Sequence, residues 1–242
     1  MLLATRGLVF HVSRYSDSSG IVKIFTEDHG LQSFIVKSLF SRSSRLKPAL
    51  FGHLRLIDII YNEKPGHSLQ YLKEVSLHKD FGVITDNIGR SSVLLFINEV
   101  LYKTVKEEEA NQHLFEFIEY TLESLNNISI PVNSFHLLFL VRLAEHLGFG
   151  PSGSLKEDGN YFDLLTGSML PLNPGHSYII SGETLSLLTQ IASMDYNDLP
   201  GFNAPRVVRL DLLDRLIDFY KVHLPDLTEL KSVKVLHEIM NQ

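Results

Sequence analysis

The sequence predicts an α+β protein in which a five-stranded β-barrel is followed by a mostly α-helical domain. Three observations carry this. Up to about residue 80, short apolar runs alternate with clusters of turn-forming residues, the pattern of a small all-β unit. Past Phe81 the apolar residues recur every three or four positions, the period of an amphipathic helix. With 44% hydrophobic residues in a chain of 242, a substantial core can be buried. The period changes between residues 79 and 90, where Lys79, Asp80, Phe81 and Gly82 and then Asp86 and Asn87 interrupt both patterns, so domains of residues 1–80 and 81–242 are expected.

Residues 2–12 form the first apolar run, and Arg6 inside it, with no long apolar core and no small-residue cleavage site, favours a strand over a signal peptide. Residues 14–20 make a polar turn, 21–25 a second strand, 27–30 a tight turn with Gly30 where positive φ is needed, and 31–36 a third strand. After a basic connection, residues 52–61 and 68–77 give a fourth and fifth strand around a turn at 62–66. Five short strands with one longer connection are the content of an OB-fold barrel.

In the second domain, Leu94, Ile97, Leu101 and Val105 mark one helix face, and Leu114, Phe117, Ile118, Thr121, Leu122 and Leu125 another. Asn133 or Ser134 can cap a third helix that runs to Leu147 and stops at Gly148. Its apolar run is interrupted by Arg142 and Glu145 and is too short to cross a bilayer. Residues 148–176 are rich in Gly, Pro and turn formers, and 161–165 and 169–172 can pair as a hairpin about Thr166, Gly167 and Ser168. Helix returns over residues 183–191 and over a longer stretch, 206–223, with Val207, Leu210, Leu213, Ile217, Tyr220 and Leu224 on one side and Pro225 as its stop. A last helix is expected over residues 232–240.

The absence of cysteine excludes disulfides, thiolate zinc sites and cysteine nucleophiles. The 11 histidines are scattered, without His-Glu-x-x-His or His-x-His, so no metal and no cofactor is expected. The net charge of -6 divides unevenly: residues 1–80 hold 11 Lys and Arg against 7 Asp and Glu, the remainder 11 against 21. A basic amino-terminal part on an acidic remainder suits an anionic ligand at one end and other partners at the other, although small domains also fluctuate in charge by this much.

Gly148-Phe149-Gly150-Pro151-Ser152-Gly153 matches the dinucleotide string G-x-G-x-x-G, but a helix precedes it and turn-forming residues follow. The fingerprint needs a strand before and a helix after, so the string reads as helix termination. Asp211, Asp214 and Asp218 share a helix face with Arg215 and read as a solvated, ion-paired face. Glu107, Glu108 and Glu109 suit a helix's first turn. With no G-x-S-x-G and no Walker A string, no active site and no enzyme is expected; a nuclease would need an acidic metal cluster near the basic connection.

That connection, residues 37–47, holds Lys37, Arg42, Arg45 and Lys47 with no acid, serines between them, and Phe40. Lys and Arg neutralise phosphates, Ser hydroxyls donate to phosphate oxygens, and Phe40 can stack on a base. From the loop alone a nucleic-acid site and an ordinary solvated basic loop are equally good readings, and its place on an OB-like barrel favours the first. Arg6, Arg14, Lys23 and Arg55 are the further candidates in the same domain.

Thr5-Arg6-Gly7-Leu8-Val9-Phe10, the Tyr15 to Ser19 turn, Phe25-Thr26-Glu27-Asp28-His29-Gly30, Leu46-Lys47-Pro48-Ala49-Leu50, Ile97-Asn98-Glu99-Val100-Leu101, Leu114-Phe115-Glu116-Phe117, His146-Leu147-Gly148-Phe149 and Leu230-Lys231-Ser232 follow one another in a set order. In these motifs and their order the chain resembles the bacterial RecO recombination mediators. The resemblance implies a cytoplasmic, nucleoid-associated DNA-repair protein that binds single- and double-stranded DNA and anneals complementary strands. It further implies work with RecR, contact with the acidic tail of single-stranded-DNA-binding protein, help in loading RecA at gaps, and no membrane. Many members carry a four-cysteine zinc module after the segment matching Leu147-Gly148-Phe149. This chain lacks those cysteines, and Gly159-Asn160-Tyr161-Phe162-Asp163 resembles members that lost them, leaving Tyr161, Phe162 and Leu164 to hold residues 148–176. For the acidic tail, Arg206 and Arg209 are the candidates, one turn apart at a helix start where cations oppose the helix dipole; pairing with nearby acids is the alternative. The competing function is an OB-fold protein-interaction module that does not bind DNA.

Overall fold

Strands Leu2–Arg14 (β1), Gly20–Thr26 (β2), Gly30–Val36 (β3), Leu56–Asn62 (β4) and Leu69–Lys79 (β5) close into a barrel in the order β1-β2-β3-β5-β4. The computed structural model describes residues 1–41, 48–106, 108–151 and 153–239. Neighbouring strands run antiparallel except β3 and β5, which are parallel and therefore require the long connection between β3 and β4. Val9, Val22, Ile24, Phe34, Val36, Ile57, Ile59 and Tyr61 fill the interior, with Leu39 and Phe51 contributed by that connection. Gly7 faces inward where an added Cβ would lie 2.4 Å from Ile24 Cγ2, so the close approach of β1 to β2 requires glycine.

The apolar run in β1 does not alternate cleanly because both of its faces are buried. A bulge between Val9 and His11 shifts the register, so that Val9 points inward before it and Val12 after it, while Leu8 and Phe10 are buried on the outside. There Phe10 stacks on Phe25, with ring centroids 5.6 Å apart, and Phe25 meets Phe115 at 6.1 Å. Phe115 lies on helix Gln112–Asn126 (α3), and residues 98–104 of helix Ile88–Thr104 (α2) flank the same strands. The chain thus forms two units: Met1–Asp86 with Asn98–Leu122, which also holds the short helix Gly82–Thr85 (α1), and Asn87–Ile97 with Glu123–Gln242.

The fourth strand starts at Leu56 and not at residue 52. Pro48–Phe51 is a 3-10 turn and Leu54 adopts φ of 49°, which brings its N–H to the Val9 carbonyl (2.8 Å) while Val9 donates to the Arg55 carbonyl (3.1 Å). The bulge in β1 consumes these groups, so the ladder begins only beyond it.

In the second unit, helix Phe135–His146 (α4) is buried on nearly every side, and Gly182–Ser193 (α5) and Arg206–His223 (α6) pack on it and on each other. The Tyr220 hydroxyl donates to the Leu140 carbonyl at 2.7 Å, and Phe135 stacks on Tyr196 at 4.4 Å. On α6 the buried residues are Val208, Leu212, Leu213, Leu216, Ile217, Phe219 and Tyr220, whereas Val207 is 79% exposed and Leu210 half-buried. The expected apolar stripe is displaced because α6 meets α4, α5 and strand Ile179–Ser181 (labelled β8 in the small sheet below), so its buried face is wider than one periodic row.

Residues 161–181 form a small sheet, Tyr161–Asp163 (β6), Ser168–Leu170 (β7) and β8, in the order β7-β6-β8. Its turn is organised by buried Asp163, which accepts from the Leu165 N–H (3.0 Å) and the Thr166 hydroxyl (2.8 Å). The carboxy-terminal helix is Ser232–Ile239 (α7). Among the described residues, no helix is long and apolar enough to cross a membrane.

Candidate nucleic-acid interface

The end of β3 and the turns before β2 and β5 meet on one side of the barrel, because Gly20 pairs with Val36 and Ile35 with Tyr71. Beyond Val36 the chain turns sharply, with Ser38 at φ of 59°, drives Leu39 into the core at 1% exposure and leaves Phe40 39% exposed. The Phe40 N–H donates to the Ser18 carbonyl at 2.9 Å, tying this turn to the one between β1 and β2. Arg14, at the end of β1, sets its guanidinium 5.0 Å from the Phe40 ring centroid.

Tyr71 on β5 has Lys37 Nζ 5.4 Å and Lys64 Nζ 4.7 Å from its ring centroid. Lys64 is held in place by Gln70, 5% exposed, which accepts from the Lys64 N–H (2.8 Å) and donates to the carbonyls of Lys64 (3.2 Å) and His67 (2.8 Å). Among the described residues, Arg14, Lys37 and Lys64 have no carboxylate partner. Two aromatic rings on this side of the barrel thus carry cations over them, Phe40 one and Tyr71 two. Arg42, Arg45 and Lys47 lie outside the described residues, between Ser41 and Pro48 in the sequence.

The remaining candidates are engaged elsewhere. Arg6 contacts Glu27 (2.7 and 2.9 Å) and both oxygens of Glu119 (2.9 Å each), and lies 5.3 Å from the Phe115 ring centroid. Its hydrogen bond to Glu27 raises its pKa further above the ordinary arginine value. Arg55 pairs with Asp80 at 2.7 Å. Lys23 is 5.8 Å from the Tyr102 ring centroid, and His11 stacks on the same ring at 4.6 Å, so these residues lie where helical residues cover the outer surface of β1 and β2.

On α6, Arg206 is exposed, whereas Arg209 is half-buried and its Nε and Nη1 have no hydrogen-bond partner. Burial lowers the Arg209 pKa, and Arg206 adds to this. Asp211 accepts from the Thr184 hydroxyl (2.6 Å) and faces Arg215 at 3.7 Å, Asp214 is 3.4 Å from His237, and Asp218 is 3.4 Å from Lys221. These carboxylates are exposed or partly exposed and paired, a solvated helix face. Among the described residues, no three His, Asp or Glu side chains are placed to hold a metal ion.

The glycine string at residues 148–153 ends α4. Gly148, at φ of 87°, donates to the Glu145 carbonyl (3.1 Å) and Phe149 to the Ala144 carbonyl (3.0 Å), the double bond of a Schellman motif. No phosphate-binding helix N-terminus follows; a three-residue 3-10 turn, Ser154–Lys156, does.

Sequence reasoning missed Tyr71 and Lys64. A single tyrosine in a predicted strand is ordinary, and only the parallel register between β3 and β5 brings it beside Lys37.

Residues 1–81 match the family described as "Recombination protein O N terminal", and residues 86–233 that described as "Recombination protein O C terminal". The chain is 34% identical to the DNA repair protein RecO of Bacteroides fragilis over the whole of both chains. It is 32% identical to the protein of that name from Phocaeicola vulgatus and 32% to that from Flavobacterium johnsoniae, again over the full lengths. With both halves matched in order and relatives aligned end to end, the chain belongs to the RecO family.

Proposed function

We propose that this chain is a DNA-repair protein that binds single- and double-stranded DNA through its barrel, residues 1–80, and partner proteins through residues 81–242. The observation that carries the reading is the side of the barrel where Arg14, Lys37 and Lys64 surround Phe40 and Tyr71, at the root of a segment with three more cations and no acid. Cations there release phosphate counterions and the rings stack on bases. Arg6 and Arg55, already committed to carboxylates, are assigned to the fold, and Lys23 to the helix-covered surface.

The finer activities rest on family membership: annealing of complementary strands in the cytoplasm, joint action with RecR, binding of the acidic tail of single-stranded-DNA-binding protein, and assistance to RecA loading at gaps. Arg206 and Arg209 are assigned to the acidic tail, supported by Arg206, which is exposed at the start of α6 and open to a carboxylate. Titration of labelled single strand and duplex tests the main reading: binding that weakens as salt rises is expected. No binding at low salt would leave the barrel as a protein-interaction module. Equal affinity of an acidic tail peptide for the wild type and an Arg206→Ala/Arg209→Ala variant would move the tail receptor elsewhere.

A further inference from the structure

We propose that the Tyr71 ring, with Phe40 as a second platform, is a stacking site for unpaired bases, so that this interface takes single-stranded DNA in preference to duplex. The inference rests on the DNA-binding reading above and specifies its substrate. Tyr71 belongs to the β3–β5 seam, yet its ring is met by two ammonium groups from two different elements, Lys37 beyond β3 and Lys64 in the turn before β5. Like charges gathered on one ring, with no carboxylate partner among the described residues, repel one another, and a polyanion relieves that repulsion. The backbone of Lys64 is fixed by buried Gln70, whereas the lysine stem is flexible. Each ammonium can therefore swing from ring to phosphate as a base slides onto the face it covered.

Phe40 repeats the arrangement. The turn at Ser38 buries Leu39 and turns Phe40 outward, so a large apolar ring stands 39% exposed under Arg14. Each ring thus has its own cation, Arg14 over Phe40 and Lys37 with Lys64 over Tyr71, a pairing of ring and charge that a single strand matches with base and phosphate. In a duplex the base faces are already stacked inside and offer these rings nothing, so duplex binding draws on the cations alone.

The protein has no tryptophan and nine tyrosines, so its tyrosine emission reports directly on stacking. Oligothymidine and a random duplex are titrated against wild type, Tyr71→Ala and Tyr71→Phe at two salt concentrations. Tyr71→Ala is expected to lose single-strand affinity by roughly 5- to 150-fold, with unchanged salt slope and unchanged duplex affinity. Tyr71→Phe keeps the ring and the fold, so it is expected to hold wild-type affinity while oligothymidine quenches less tyrosine emission than in wild type. Equal quenching in wild type and Tyr71→Phe, or unchanged single-strand affinity in a folded Tyr71→Ala, would overturn the inference while leaving DNA binding intact. Failure of the wild type to bind either ligand would overturn the DNA-binding reading and this inference with it.

Discussion

Arg90 shows how a cation that looks available in the sequence is used by the fold. Only 5% exposed, its guanidinium donates to the carbonyls of Leu125, Ile128 (3.1 Å) and Ile130 (2.9 Å), groups that the end of α3 and the following turn leave without partners. Arg90→Ala strips two buried acceptors and one part-buried acceptor of their donor and is expected to cost about 3 kcal/mol in urea unfolding. His136 is the opposite case, an imidazole only 1% exposed with the Val132 backbone beside it. Burial, with Arg209 and His237 adding to it, lowers its pKa from 6.5 to about 3. The unfolded chain therefore takes up a proton as pH falls below 6.5 and the folded chain does not, so stability is full above 6.5 and is lost on acidification towards pH 3. Between pH 6.5 and 5, where carboxylates stay ionised, the wild type is expected to lose up to about 1.4 kcal/mol per pH unit relative to His136→Leu. Parallel unfolding free energies for the two proteins over that range would remove His136 as the cause. Contacts of this kind are not legible in a sequence: Arg6 meets Glu119 at a separation of 113 residues, and nothing local marks it as a structural arginine.

At the scale of elements, the barrel strands were legible because turn residues punctuate them, and α6 because its apolar residues recur at helical spacing up to the stop at Pro225. The start of β4 was not, since a bulge nine residues into the chain sets where its ladder begins. The three-residue β8 was not, since such a strand has no periodicity of its own. The segment after α4 carries the clearest prediction at this scale. Phe149 stacks on His223 at 5.2 Å and meets Phe219 and Tyr220 edge-on, Phe162 meets Phe219 at 5.6 Å, and His223 Nε2 lies 3.1 Å from the Leu164 carbonyl. An aromatic cluster thus pins the small sheet, with Phe162 and Leu164 buried as expected and no cysteine to offer a thiolate. The melting temperature is expected to be unchanged by a chelator, whereas Phe162→Ala costs about 3–5 kcal/mol. A drop in melting temperature on chelation would mean that a metal shares the work.

For the molecule as a whole, the uneven charge is the feature that connects sequence to function. The basic excess of residues 1–80 is concentrated in residues 37–47, while Arg6 and Arg55 are neutralised within the fold. The proposed interface was partly legible: Lys37, Phe40 and Arg14 are candidates from the sequence, and Tyr71 and Lys64 join them only through the strand register. Arg42, Arg45 and Lys47 enter through the sequence alone. The central claim is that this surface binds DNA phosphates, and the salt dependence of oligonucleotide affinity in a Lys37→Ala/Arg42→Ala/Arg45→Ala/Lys47→Ala variant measures it most directly. At about 0.7 per phosphate contact, the slope of log affinity against log salt is expected to flatten by up to ~3 relative to wild type, with affinity reduced and the melting temperature kept. A variant with wild-type affinity and wild-type slope would contradict the account.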